Sequence, residues 1–146
     1  MLRRIVTAAL IAAPSALAAQ TAGSTGSAAP ERSAAGVYTE EQATRGKTAY
    51  EINCASCHAT SFHTDEQFRF NWFGRTVLDL FRTLKTTMPE DNPGGLSDDD
   101  YTRVIAYILK LNGFQPGADS LPSDSSAMRL IRIRPAADTG VKHPQP

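Results

Sequence analysis

Cys54 and Cys57, the only two cysteines in the chain, stand three residues apart, and His58 follows directly. No other feature restricts the fold as much, because whichever chemistry uses this cluster has to be built into the structure around it. Four chemistries compete for it. A zinc site needs four ligands converging on a tetrahedron; neighbouring side chains such as Cys57 and His58 rarely reach one small ion together, and the remaining ligand, His63, lies in a polar stretch that reads as loop. A thioredoxin-like dithiol needs a Cys-x-x-Cys beside a βαβ pattern, and no such strands are legible. A structural disulfide closes too short a loop to remove much unfolded-state entropy, and it leaves His58 without a role. Covalent haem attachment uses all three residues. A spacing of three puts both thiols on one side of a helical turn, where they can add to two vinyl groups on one porphyrin edge while His58 offers iron a nitrogen. The cofactor expected is therefore one haem c, covalent through Cys54 and Cys57, with His58 as a metal ligand.

A second axial ligand decides whether such an iron carries electrons or binds gases. Met88, in the stretch Lys-Thr-Thr-Met-Pro-Glu-Asp-Asn-Pro-Gly-Gly, is the candidate. Pro89 biases it towards an extended backbone at the end of a helix, and a thioether is a soft ligand that raises the reduction potential. Its alternative use is to fill a gap in the core. Met1 would leave with a signal peptide and Met128 lies in the tail. His63 is too near the attachment turn to cross the ring and reads as a solvent-exposed loop residue, and His143 sits in a Pro-rich end. An apolar cleft should lie between Cys57 and Met88.

Arg3 and Arg4, an apolar run from Ile5 to Leu17 and the Ala-Leu-Ala-Ala-Gln stretch read as a secretory signal peptide over residues 1–19. The run is too short for a lasting span, and no other segment approaches the ~20 apolar residues a span needs. The expected mature protein has no membrane span and is periplasmic if the source is a Gram-negative bacterium. Residues 20–36, rich in Ala, Ser and Gly, read as a flexible leader. A single domain over 37–114 and an extended tail over 115–146 complete the division. The chain balances fifteen basic against fifteen acidic residues, and losing Arg3 and Arg4 leaves it slightly acidic, which argues against nucleic acid as a partner.

Three helices are legible. Thr39 to Gln42 form a capping-box pattern opening a helix with Ala43, Gly46 and Tyr50 on one side; Gly46 in a helix interior implies a close neighbour. Val77, Leu80, Phe81 and Leu84 follow helical spacing, as do Tyr101, Val104, Ile105 and Ile108, with Ser97 as N-cap and Gly113 just past the end. With no convincing strand in the body, the domain is all-α. In the tail, Ile131 and Ile133 alternate with Arg132 and Arg134 as in a short half-buried strand, read as an arm laid along the body. Asp98, Asp99 and Asp100 stabilise a helix N-terminus, or, with Glu90 and Asp91, steer a basic partner.

On Cys-Ala-Ser-Cys-His, the Thr-Met-Pro loop and the final Ala-Tyr-Ile-Leu-Lys-Leu-Asn-Gly-Phe, the chain resembles a small class I cytochrome c from Tyr38 to Phe114. The stretches Phe-Asn-Trp-Phe-Gly-Arg-Thr-Val-Leu-Asp-Leu-Phe and Thr-Thr-Met-Pro-Glu-Asp-Asn-Pro-Gly-Gly-Leu-Ser-Asp-Asp-Asp-Tyr resemble cytochromes that serve periplasmic quinoprotein dehydrogenases. The resemblance implies that the first and last helices cross at Gly46 and Tyr50 against Ile105 to Leu109, and that Trp72 and Arg75 lie near the haem propionates. It implies a monohaem carrier of single electrons from a dehydrogenase donor to a cytochrome or oxidase acceptor. A permanent cytochrome subunit of a dehydrogenase and a haem sensor or gas-binding protein are the alternatives. No acid/base pair or nucleophile constellation argues for substrate turnover.

Overall fold

The computed structural model describes residues 30–135. The expected signal peptide, the leader up to residue 29 and the end of the tail with His143 lie outside the described residues. The described order is β1 (Arg32–Ser33), α1 (Glu40–Asn53), a 3₁₀ turn (Thr60–His63), α2 (Asp65–Trp72), α3 (Val77–Thr87), α4 (Asp98–Leu111), α5 (Ser125–Arg129) and β2 (Ile131–Arg132). Helices dominate and the strands are two residues each, so the fold is all-α, as expected.

Helix α1 begins where Thr39 Oγ1 accepts the Gln42 amide at 3.1 Å. Gln42 does not complete the expected capping box. Its side chain instead donates to the Leu121 carbonyl at 2.9 Å and accepts the Leu121 amide at 2.7 Å, which clips the tail to α1. Ala43, Gly46 and Tyr50 form the buried face. α4 crosses there, and a Cβ on Gly46 would lie 1.8 Å from the Arg103 carbonyl oxygen. Only glycine permits that approach. The Tyr50 and Tyr107 rings meet beside it with centroids 5.6 Å apart.

Ser97 caps α4 through the Asp100 amide at 3.1 Å. The expected stripe of α4 is buried, and so are Thr102, Ala106, Tyr107 and Leu109. α1, α3 and the 3₁₀ turn all pack on this helix, so its apolar face extends well beyond one stripe. α3 opens with a complete capping box between Thr76 and Asp79. Val77, Leu80 and Phe81 are buried and Leu84 partly so; α5 and β2 pack on the same helix, and its buried face widens to include Leu78.

Two expectations need correction. The leader does not run to residue 36, because Arg32 and Ser33 pair in parallel with Ile131 and Arg132 and Ala34 is fully buried. The tail is not simply an extended arm. Leu121, Met128, Ile131 and Ile133 join the core, with Met128 itself on a helical turn at Ser125–Arg129. The alternation does hold: Ile131 and Ile133 point inward, while Arg132 pairs with Glu31 at 2.6 Å. The Gly74 amide donates to the Ile133 carbonyl at 3.0 Å and the Ile133 amide to the Arg75 carbonyl at 2.9 Å, so the strap also fixes the turn before α3. Among the described residues, no helix is long and apolar enough to cross a membrane.

Candidate haem site

The cysteine motif continues directly from the last turn of α1. The Cys54 amide donates to the Tyr50 carbonyl at 2.8 Å, and the Cys57 and His58 amides both donate to the Cys54 carbonyl, at 3.1 and 2.9 Å. These bonds wind the chain tightly enough to keep both thiols on one turn. Cys54 is half-buried, Cys57 is exposed, and the two are not joined to each other. Tyr50, itself buried, donates its hydroxyl to the His58 carbonyl at 2.7 Å.

Met88 sits at the end of α3. Its amide donates to the Leu84 carbonyl at 2.8 Å, and its backbone is extended, with φ −130° and ψ 151°, as the following proline favours. The Met88–Pro89 peptide bond is cis. The buried Tyr101 of α4 donates its hydroxyl to the Met88 carbonyl at 2.6 Å.

Both segments border one cleft of about 760 Å³, which Cys54, Cys57, His58, Met88 and Trp72 help to line. Its apolar wall comes from Phe68, Leu80, Leu84, Leu96, Val104 and Ile108. The only charged residues in the lining are Glu90 and Asp91. The volume falls within the roughly 300–1,000 Å³ of small-molecule and cofactor sites. Two unjoined thiols on one turn, an adjacent imidazole, an apolar wall and a thioether from a separate element suit a covalently held haem. Arg75 does not line the cleft. Its guanidinium lies 4.9 Å from the centroid of the Trp72 ring, so it reaches the site at one remove.

His63 is not the solvent-exposed loop residue expected. It closes the 3₁₀ turn, lines the cleft and lies edge-on to Tyr50 with ring centroids 5.7 Å apart. Burial lowers its pKa, and the neighbouring His58 adds to that shift. Asn112 Nδ2 donates to the His63 carbonyl at 2.8 Å and anchors the turn to the end of α4. Met128 is fully buried away from the cleft and acts as core.

The rival chemistries find less support. No cluster of three or more His, Cys, Asp or Glu side chains among the described residues could hold a metal ion. A reactive dithiol lowers the pKa of its nucleophilic thiol, whereas burial pushes the Cys54 thiol up. What the sequence reading missed is the pair of tyrosine hydroxyls. The available signal was chemical: a tyrosine on the buried stripe of a helix needs a partner for its hydroxyl.

Residues 41–108 match the family model described as cytochrome C oxidase, cbb3-type, subunit III. No curated protein and no solved structure matches the chain. The matched stretch runs from the first turn of α1 into the last turn of α4 and contains Cys54, Cys57, His58 and Met88. The match supports a c-type cytochrome domain, a family whose cofactor is haem c, and Cys54, Cys57 and His58 are the residues that would hold it.

Proposed function

We propose that this c-type cytochrome domain is a periplasmic one-electron carrier with His58 and Met88 as the axial ligands of a single haem. The observation that carries the reading is that both residues border one apolar cleft from separate elements, each with its carbonyl held by a buried tyrosine. The haem supplies one-electron redox chemistry, and the protein supplies binding, orientation and electrostatics. Phe68, Leu80, Val104 and Ile108 exclude water from the interior of the cleft. Desolvation disfavours the more highly charged ferric state, and a thioether ligand acts in the same direction. Trp72, with Arg75 stacked on it, closes another part of the wall and sets a positive charge behind it.

The charges around the methionine loop bear on the partner. Asp98 pairs with Lys85, and Asp99 and Asp100 pair with Arg103. Glu90 and Asp91 are exposed, border the cleft and have no ion pair among the described residues. They suit an electron-transfer partner that is basic at its contact surface. The likeness of residues 70–81 and 86–101 to cytochromes of quinoprotein dehydrogenases supports such a dehydrogenase as donor, with a cytochrome or terminal oxidase as acceptor.

The reading is tested by mixing oxidised holoprotein with cytochrome-free periplasmic extract, adding alcohols, aldehydes or aldoses, and following the ferrous haem band. Rapid substrate-dependent reduction is expected; a flat trace beside immediate reduction by a chemical reductant would remove the dehydrogenase link. Met88→Ala should alter both spectrum and potential, and an unchanged spectrum would remove Met88 as a ligand.

A second reading, a permanent cytochrome subunit, is favoured by Phe70, a large apolar side chain 88% exposed and outside the cleft lining. Gel filtration separates the two, since a subunit elutes with its dehydrogenase and a shuttle elutes alone.

A further inference from the structure

The two tyrosine bonds look alike but hold segments of very different freedom. His58 adjoins Cys57, so haem attachment tethers it through a covalent neighbour. Met88 has no such tether. The loop over residues 88–96 bonds chiefly to itself, through the Asn92 amide to the Pro89 carbonyl and the Gly95 amide to the Asn92 carbonyl, both at 3.0 Å. The Met88 amide continues its own helix to Leu84. Among the described residues, the Tyr101 hydroxyl on the Met88 carbonyl is the sole hydrogen bond joining this loop to any element other than α3. The nearby Lys85 to Asp98 ion pair, at 2.5 Å, links the end of α3 to the start of α4, but it is partly exposed and screened by solvent.

The Tyr101 ring is fixed in turn. It is 2% exposed and meets Phe81 edge-to-face with centroids 6.1 Å apart, so its hydroxyl presents a donor from a rigid position on α4. A neutral thioether is a weak enough ligand that its occupancy depends on where the backbone holds it. We infer that Tyr101 is the positioning residue that keeps Met88 at the iron, and that exclusion of exogenous ligands rests on this one hydroxyl. The inference depends on the reading of Met88 as axial ligand. It also predicts an asymmetry: the equivalent bond from Tyr50 to His58 contributes little to ligation, because the covalent attachment already does that work.

Three holoprotein variants, Tyr101→Phe, Tyr50→Phe and Met88→Ala, test it against the unaltered protein. Phenylalanine keeps the ring packing at both sites and removes only the hydroxyl. Two quantities are read: the weak far-red charge-transfer band of ferric iron bound to methionine, followed over a pH series, and the rate of carbon monoxide binding to the ferrous form. Thermal unfolding is followed alongside. Tyr101→Phe should lose the band at lower pH and bind carbon monoxide about five- to tenfold faster, the factor expected for one lost hydrogen bond. Tyr50→Phe should shift both readouts clearly less than Tyr101→Phe does, whatever it loses in thermal stability. A Tyr101→Phe band and carbon monoxide rate identical to the unaltered protein, with Met88→Ala losing the band, would overturn the inference and leave the ligand reading standing. Equal effects of the two tyrosine variants would overturn it as well. If Met88→Ala keeps the original spectrum, the ligand reading falls and the inference falls with it.

Discussion

The Arg75 guanidinium lies over the Trp72 ring, and the Arg75 carbonyl accepts the Ile133 amide. One residue thus joins the wall of the haem cleft to the strap that closes the fold. A fixed positive charge behind that wall favours the less positive ferrous state. Arg75→Gln should therefore lower the reduction potential; an interaction of about 1 kcal/mol corresponds to roughly 40 mV for one electron. A redox titration reads the shift, and no change would mean that solvent screens Arg75 from the iron.

Gly46→Ala should be among the most damaging single substitutions in the protein. The new Cβ would sit 1.8 Å from the Arg103 carbonyl oxygen, a backbone atom that cannot turn aside. The α1 and α4 crossing would have to open, at a cost of about 3 kcal/mol, read by denaturant unfolding of the holoprotein.

The strap is held by packing as much as by hydrogen bonds. Ile133 is fully buried, so Ile133→Ala should cost about 2–5 kcal/mol. Cutting the chain after Phe114 should cost more, since Leu121, Met128 and Ile131 leave with it. If the cut protein unfolds at the same denaturant concentration as the whole, the strap is not part of the cooperative unit.

Asp79 links stability to pH. Its carboxylate accepts the Thr76 amide at 2.9 Å, and that bond, with the Thr76 hydroxyl and the nearby Arg75 and Arg132 charges, holds its pKa below the ordinary carboxylate value against a smaller effect of burial. The folded state thus favours the ionised form. Its contribution is present above the ordinary carboxylate pKa and disappears as pH falls through the lowered folded value. Thr76→Ala should cost about 1 kcal/mol at neutral pH and less in acid, where Asp79 is protonated. Unfolding curves at neutral and acid pH measure the difference.

Glu90 and Asp91 can be neutralised without disturbing an ion pair. In the Glu90→Gln, Asp91→Asn double variant, oxidation by a cationic cobalt complex should slow roughly two- to fivefold at low ionic strength. Oxidation by ferricyanide should quicken. Equal rates with both oxidants would place electron exit away from the methionine loop.

The sequence reading went furthest where one residue type answers one local demand. Gly46 foretold a close helix crossing, Cys54, Cys57 and His58 foretold the cofactor, and Ser97 sits at a helix start whose apolar spacing is plain. It failed where structure depends on distant partners. Arg32 and Ser33 carry no strand signal, and they pair only because Ile131 and Arg132 return from the far end of the chain. α2 buries Phe68 and leaves Phe70 exposed, too little apolar periodicity over eight residues to announce a helix. Gln42 fitted a capping box by spacing, but the Leu121 backbone, invisible to local pattern, claimed its side chain.

The parallel pairing of β1 and β2 also governs how the domain can be attached to anything else. Every residue bordering the cleft lies between Tyr50 and Ile108, while the described chain enters and leaves beside the paired strands. A second protein joined beyond either strand would be leashed beside residues that do not themselves line the cleft. Attachment there leaves the residues bordering the cleft untouched, whether the domain stands alone or is joined to a larger protein.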